Sequence, residues 1–472
     1  MFKDINRTIF ILVAVILASR FISMILIPYG DTTEARYGEM ARIMAETGDW
    51  ITPFFDYGIP FWGKPPLSFW SQAAFFNLFG IHELSGRFPS WLATLGIIIL
   101  IYKLVRIAYP TNTSLITVLI FSSTFIAYLM SGAVLTDPYL TLATTMSLSA
   151  FAAILYGQTA YWRYLFFVGI AIGLLAKGPI AIILIGGPIG LWLLISSKRW
   201  SRLGELPWFS GIFLIILLVA PWYIAAEMKT PGFIEYFILG EHYYRFVDPG
   251  WAGDLYGTAH KQPRGTIWLL WMLAAFPWSL YAIYLLIKNI TNSNRVQNTL
   301  TFIQNESLSF FFIWALFPML FFTMAGNILI TYTLPAIPAL AIILATKLSN
   351  TTKFTVKLTS MISLAVPIFI LAITSYLVKN PDSYPSEKEL INAYYAAANQ
   401  NSKLVFLDDV SFSAKFYSQR KVDIRDSKHI IDLTTEPNLY FVSTKKRYEE
   451  LSVQFKTKVI DTSYDYVLFL FL

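Results

Sequence analysis

Long apolar runs recur along the first four-fifths of the chain, each near the roughly 20 residues that a helix needs to cross a bilayer core. Eleven windows qualify: 8–27, 88–107, 113–131, 138–156, 161–177, 179–196, 208–226, 266–287, 308–325, 328–346 and 358–378. The windows 161–177 and 179–196 are short and meet at Lys177-Gly178-Pro179. No small-x-small site follows the first window before the run Asp31-Thr32-Thr33-Glu34, so that window reads as a retained span and not as a cleaved leader. Two of the intervening polar segments are long, 28–87 and 227–265. After Asn380-Pro381 the pattern changes. Helix-like stretches at 385–400 and 445–455 alternate with strand-like runs at 403–410, 439–443 and 466–472, the mark of a small α/β unit. The predicted architecture is an α-helical polytopic membrane protein, residues 1–379, carrying a soluble domain over 380–472.

Composition supports this division. Hydrophobic residues make up 56% of the chain and charged residues 14%, where soluble domains carry about 25% charged residues. The last 93 residues hold 25 charged side chains, and the first 379 hold only 40. A formal charge of +7 gives no case for nucleic acid, because membrane proteins gather Lys and Arg in cytoplasmic loops. With the N-terminus in the cytoplasm, Lys3, Arg7, Lys103, Arg106, Arg163, Lys198, Arg199, Arg202, Lys288, Arg295, Lys347, Lys353 and Lys357 all fall inside. Eleven spans then place the tail outside, N-in and C-out. Both long loops and the turns at Asp137, Lys177 and Asn327 lie outside too. The absence of cysteine excludes disulfides, thiolate chemistry and Cys-bound zinc.

Candidate chemistry concentrates on that outer side. In the first loop, Glu34 to Glu46 reads as an amphipathic helix whose Ala35, Met40, Ile43 and Met44 suit a membrane surface. Asp31 or Thr32 could cap it; alternatively Asp31 and Glu34 face a site in which a carboxylate accepts a proton or orients a hydroxyl. Lys64, between aromatics and Pro65-Pro66, is either a snorkelling lysine or a phosphate ligand on a stiff backbone. Asp137 before Pro138 is a helix cap or, with Lys177, a charge placed for function at the mouth between spans. The second loop carries Glu241-His242-Tyr243-Tyr244-Arg245 and His260-Lys261-Gln262-Pro263-Arg264, a basic group over aromatic surface. Such a group suits phosphate, or simply holds anionic head groups. His82 and His429 read as surface residues, and Arg20 as a snorkelling arginine.

At these residues the chain resembles the GT-C glycosyltransferases, specifically the bacterial ArnT-like branch. The resemblance covers most of the membrane domain. It rests on Glu34-Ala35-Arg36-Tyr37-x-Glu39, Thr47-Gly48-Asp49-Trp50-x-x-Pro53, Lys64-Pro65-Pro66-Leu67, Arg87-Phe88-Pro89-Ser90, Thr136-Asp137-Pro138, Lys177-Gly178, Glu241-His242-x-x-Arg245-Phe246, His260-Lys261-x-Pro263 and Tyr332-x-Leu334-Pro335. It implies an inverting enzyme of the bacterial inner membrane with a periplasmic site. Such an enzyme passes a sugar, aminoarabinose or a relative of it, from a polyprenyl (undecaprenyl) phosphate donor to lipid A or another envelope acceptor. By the same resemblance Asp31 or Glu34 is the catalytic carboxylate. Lys64, Arg245, Lys261 and His260 hold the donor phosphate, and Arg36, Tyr37, Asp137, Lys177 and Glu241 line the cavity. Two departures matter. Thr33 stands where the family has aspartate, which leaves Asp31 as the favoured acid and Glu34 as its rival. Gly63 replaces a family glutamate that can share a divalent metal with a histidine, so a metal site here is one ligand short, with His242 the remaining candidate. Asn327 stands near a family Ser-Lys pair.

Three other readings differ in what they require. A lipid or sugar transporter calls for broken helices and acids at the midplane, and for matching halves; no internal repeat is evident. A structural envelope protein has no use for so many polar residues on one face. A protein O-mannosyltransferase-like enzyme requires the carboxylate as a true base for Ser or Thr.

Overall fold

The computed structural model describes residues 2–159, 161–248, 250–257, 260–291, 304–348, 353–430 and 438–472. Arg295 and the side chains of Lys3, Lys353 and His429 lie outside the description. Among the described residues, six helices are long and apolar enough to cross a membrane: Ile5–Leu26, Glu83–Ala108, Asp137–Leu155, Trp208–Lys229, Ile330–Leu348 and Lys357–Lys379. A pair bent by 114°, Thr266–Ala274 with Trp278–Ile290, makes a seventh. The shorter apolar helices Thr111–Ser123, Trp162–Ala176, Ile180–Leu194 and Glu306–Phe322 occupy the remaining windows.

Two windows that read as continuous are broken. Helix α5 (Thr111–Ser123) stops at Thr124, and α6 (Phe125–Met130) restarts with the Phe125 amide donating to the Phe276 carbonyl, 2.8 Å. The second break falls at Pro277, whose ring removes a helix donor. Each break thus leans on the other.

Helix α7 (Asp137–Leu155) is the centre of the bundle, with Thr141, Thr144, Thr145, Ser147 and Ser149 fully buried. Helix α8 (Trp162–Ala176) lies close along it, because a side chain at Gly169 would strike Ser147 and one at Gly173 would strike Ala181 and Ala143. Small residues permit this approach where lipid supplies no hydrophobic drive. The result sets the end of α8, and so Lys177, over the start of α7.

The first-loop helix α2 (Thr33–Thr47) forms where expected but is covered differently. Ala35, Met40, Ile43 and Met44 are buried inside the protein, not laid on lipid, and most pack with Phe69, Ala73, Phe76 and Phe416. Thr32 makes no capping bond with its side chain. Helix α3 (Leu67–Phe79) and α4 (Glu83–Ala108) follow, the latter capped by His82, whose Nδ1 accepts from the Ser85 amide at 3.3 Å. Arg20 does not snorkel. Only 7% exposed, it donates to the carbonyls of Leu129 and Gly132.

The first loop holds a two-stranded hairpin, β1 (Phe54–Asp56) and β2 (Ile59–Pro60), and after the helix Ala365–Lys379 comes a sheet of five further strands in which the first lies between the second and third, and the last between the third and fourth. Strands β3 (Lys403–Leu407), β4 (Asp423–Arg425) and β5 (Leu439–Thr444) are parallel; β6 (Thr457–Thr462) and β7 (Tyr466–Phe471) complete it antiparallel. Helices Lys388–Ala397 and Lys445–Gln454 match the expected ones, shortened at their ends. Strands β4 and β6 and the short helix Phe412–Tyr417 carry no strong pattern and were not anticipated.

The tail rests on the first loop. Glu83 accepts from Lys388 Nζ at 2.6 Å and from the Tyr417 hydroxyl at 2.9 Å, while Asp56 pairs with Lys415 and Arg420. Beneath this contact Arg87 joins three elements. It grips Glu34 through two bonds of 2.9 and 2.7 Å, and donates to the carbonyls of Met24, Ile27 and Pro28 at the end of α1 (Phe2–Leu26). Arg87→Met is expected to destabilise the protein by about 3–5 kcal/mol, because Glu34 and three carbonyls lose their buried donor; thermal unfolding of the detergent-solubilised chain measures it.

Candidate functional site

Two long loops meet over the ends of α7 and α8, and the sequence-predicted residues fall there into two groups. In the first group, Lys64 Nζ donates to Glu241 Oε2 at 2.9 Å, and Arg245 Nη1 lies 2.9 Å from both Glu241 oxygens. Arg245 Nη2 is also 3.5 Å from Asp254 Oδ2. Beside them Lys177 Nζ pairs with Asp137 Oδ1 at 2.6 Å and lies 5.0 Å from the centre of the Tyr332 ring. The Tyr332 hydroxyl sits in the field of Asp137, Lys64, Arg245 and Glu241 together. Burial pushes the Glu241 carboxyl up, but Lys64 and Arg245 outweigh it and hold the group below the usual carboxylate range.

Local structure explains the convergence. Tyr236–Tyr244 is a π-helix, a wide turn often found at functional sites. Along it Phe237 and His242 turn inward and Glu241 faces Lys64, with Arg245 just past its end on the same carboxylate. His242 lies with Nε2 3.1 Å from the Lys177 carbonyl and Nδ1 2.8 Å from that of Phe237. Gly178 has φ +82°, and a side chain there would collide with Phe237 and come close to His242. Only glycine closes this contact without strain.

These residues do not fit a metal. Both ring nitrogens of His242 face backbone carbonyls, position 63 offers no side chain, and among the described residues no three His, Asp or Glu groups converge.

The second group holds the first-loop acids. Both Asp31 oxygens take hydrogen bonds from Ser413 in the tail, through its amide at 3.1 and 3.3 Å and through its hydroxyl. Ser413 Oγ also meets Glu387. Burial above all, then the nearby Glu387 charge, pushes the Asp31 carboxyl up to about 7. Glu34 is bound by Arg87 and also accepts from the Val134 amide at 3.2 Å. Neither acid makes a hydrogen bond to Lys64, Arg245 or Lys177.

Between the groups, Arg36 reaches from α2 to the Tyr256 carbonyl of the second loop, 2.6 Å. Tyr37 is buried among Phe61 and Phe69 and supports the wall from beneath. His260 and Lys261 are exposed, on a segment held against Asn327: its Oδ1 accepts from the His260 amide at 3.2 Å, and Lys261 bridges to it. Asp254 was missed at the level of sequence, although it stands in the aromatic run Trp251-Ala252-Gly253-Asp254-Leu255-Tyr256. No local signal marks Ser413 or Glu387.

Comparison with known proteins bears on the fold and on its relatives. The family model described as dolichyl-phosphate-mannose-protein mannosyltransferase matches residues 6–237. The undecaprenyl phosphate-alpha-4-amino-4-deoxy-L-arabinose arabinosyl transferase of Shewanella sediminis is 30% identical over 346 residues, 70% of this chain and 59% of that protein. Its counterpart in Yersinia enterocolitica is 27% identical over 70% of this chain and 58% of its own length. The chain thus spans less than two thirds of these curated relatives. The crystal structure of ArnT from Cupriavidus metallidurans bound to undecaprenyl phosphate superposes with a TM-score of 0.79, covering 98% of both chains at 16% identity. The fold is therefore the GT-C architecture of a multi-pass membrane protein with a small sheet domain at its C-terminus. Within that class the chain is ArnT-like, in sequence as well as in fold.

The Asp31 environment gives a pH dependence. An acid whose pKa rises on folding, here from 3.8 to about 7, favours the docked form most at low pH. That contribution is fully present below the unfolded value and is lost as pH rises through the folded one. Tail docking is expected to loosen across this window in the wild type and to stay flat in Asp31→Asn. Protease cleavage in the connection 380–388, followed against pH, is the measurement.

Proposed function

We propose that this protein is an inverting glycosyltransferase that moves a sugar from a polyprenyl-phosphate donor to lipid A or another envelope acceptor. The observation that carries the reading is the meeting of Lys64, Arg245 and Lys177 with Tyr332 where the two loops close over α7 and α8 of an ArnT-like fold. The orientation inferred from the positive loops puts this end on the periplasmic face of the inner membrane.

In the reaction an acceptor oxygen attacks the anomeric carbon from the face opposite the phosphate. The sugar–oxygen bond breaks, its electron pair stays on the phosphate, and the acceptor releases a proton. Lys64 and Arg245 offset the charge that grows on the leaving phosphate, with His260 and Lys261 on the exposed side of the same loop. Asp137, Lys177 and Glu241 set the floor of the cavity, and Arg36 and Tyr37 its wall toward the first loop. Asp31 is the favoured carboxylate for orienting the acceptor or accepting its proton, since a carboxyl near 7 can do either at neutral pH. Glu34 remains the alternative acid; a charged arginine and the Val134 amide hold its oxygens, where the neutral Ser413 holds those of Asp31. A phosphate acceptor, as on lipid A, needs no strong base; a serine or threonine hydroxyl does.

Asp31→Asn is expected to cut transfer by about 10²–10⁴-fold with normal membrane insertion and a thermal stability at neutral pH no lower than that of the wild type. Glu34→Gln should lower activity and stability together, and Lys64→Ala should raise the donor KM by roughly tenfold or more. Wild-type turnover in both acid variants would remove the first loop from the chemistry. Mass spectrometry of lipid A and of the polyprenyl-phosphate sugar pool, with and without the gene, tests the activity itself. A lost lipid A substituent beside an accumulating donor is the expected result. An accumulating donor with intact lipid A moves the acceptor to another glycan or a protein, and no change in either pool points to transport.

A further inference from the structure

Lys64 and Arg245 come from different loops and meet on one carboxylate. Glu241 is 4% exposed, yet both its oxygens are in use: Arg245 Nη1 reaches each at 2.9 Å, Lys64 Nζ reaches Oε2, and the Tyr236 hydroxyl stands 3.5 Å from Oε1. Around it the charges balance. Lys64, Arg245 and Lys177 face Glu241, Asp254 and Asp137, so each cation already has a counterion. Asp254 Oδ2 is buried without a hydrogen bond and stands ready beside Arg245 Nη2. A phosphate that bridges Lys64 and Arg245 therefore competes with Glu241 for the same two cations.

Substrate and product differ in charge at this point. A phosphodiester donor carries one negative charge, whereas the monoester left after sugar transfer carries nearly two at neutral pH. Repulsion scales with the product of charges, so a fixed carboxylate opposes the monoester about twice as strongly as the diester. Without such a carboxylate, two cations would hold the product more tightly than the donor.

On the transferase reading above, we propose that Glu241 is the charge-selecting residue of the donor site. Its carboxylate occupies the place of a phosphate between Lys64 and Arg245, yields to the singly charged donor, and returns to expel the doubly charged product. The step moves no covalent bond: one anion replaces another on the same two cations.

The test compares the wild type with Glu241→Gln and Lys64→Ala, each as the full chain in lipid nanodiscs. The probes are undecaprenyl phosphate as the monoester and its methyl ester as an unreactive diester. Glu241→Gln is expected to bind the monoester on the order of tenfold more tightly, with a smaller gain for the diester. Its kcat should fall as product release slows, while its donor KM falls too. Equal or weaker binding of both probes by Glu241→Gln overturns the proposal. A structure of the wild type with undecaprenyl phosphate decides independently of how that variant folds. Glu241 is expected out of salt-bridge reach of both cations; a phosphate bound while Glu241 still holds Lys64 and Arg245 overturns the proposal. If the wild type binds neither probe and Lys64→Ala changes nothing, the donor reading itself has failed.

Discussion

The grip of Arg87 on Glu34 is the constraint from which the rest of this end of the molecule follows. Arg87 lies near the start of α4, and its guanidinium is shared among Glu34, the last carbonyls of α1 and the ring of Tyr29, 4.9 Å away. A buried guanidinium is tolerated only when its donors are satisfied. Satisfying them fixes the angle at which the chain leaves the first span and starts α2. Because Glu34 also accepts from the Val134 amide, the turn before α7 is fixed by the same node. Asp137, and through it Lys177, therefore takes its place from a contact far from either residue in sequence.

The tail is docked by ion pairs, a hydrogen-bonded acid and one apolar plug. Glu83, Asp56 and Asp31 belong to the first loop or to the start of α4; Lys388, Lys415, Arg420 and Ser413 belong to the tail. Phe416 adds an apolar plug against Tyr29 and Phe76. Such a contact leaves the tail neither a free appendage nor part of the bundle core. It also makes Asp31 answer to the tail, so a carboxylate of the first loop is tuned by a segment some 380 residues away in sequence.

Neutrality is the second governing feature of the site. Partly buried cations near a bilayer are costly unless paired, and the protein pairs each of Lys64, Arg245 and Lys177 internally. On the transferase reading, stability in the resting state and affinity for an incoming phosphate become opposed quantities, set by the same carboxylate. The π-helix carries Glu241, and Arg245 follows directly at its end, so the two stand one turn apart.

Hydropathy located the apolar helices, the two long loops and the change of character after Asn380, because apolar length and charge density are local properties of the chain. The loop motifs and the resemblance they carry likewise marked Lys64 and Arg245 as candidate phosphate ligands and Glu241 as a cavity residue, without pairing them. What covers each apolar face was decided only by tertiary structure. The stripe of Ala35, Met40 and Met44 is equally suited to lipid or to protein, and Phe69, Phe76 and Phe416 took the place assigned to lipid. The break at Thr124 was hidden for a similar reason, since the backbone bond between Phe125 and Phe276 joins segments that share no local pattern, whereas Pro277 marks its own break locally. Asp31 shows the limit most plainly. Its residue type advertises an acid or a cap, while its environment is made by Ser413 and Glu387, whose distance along the chain no periodicity encodes.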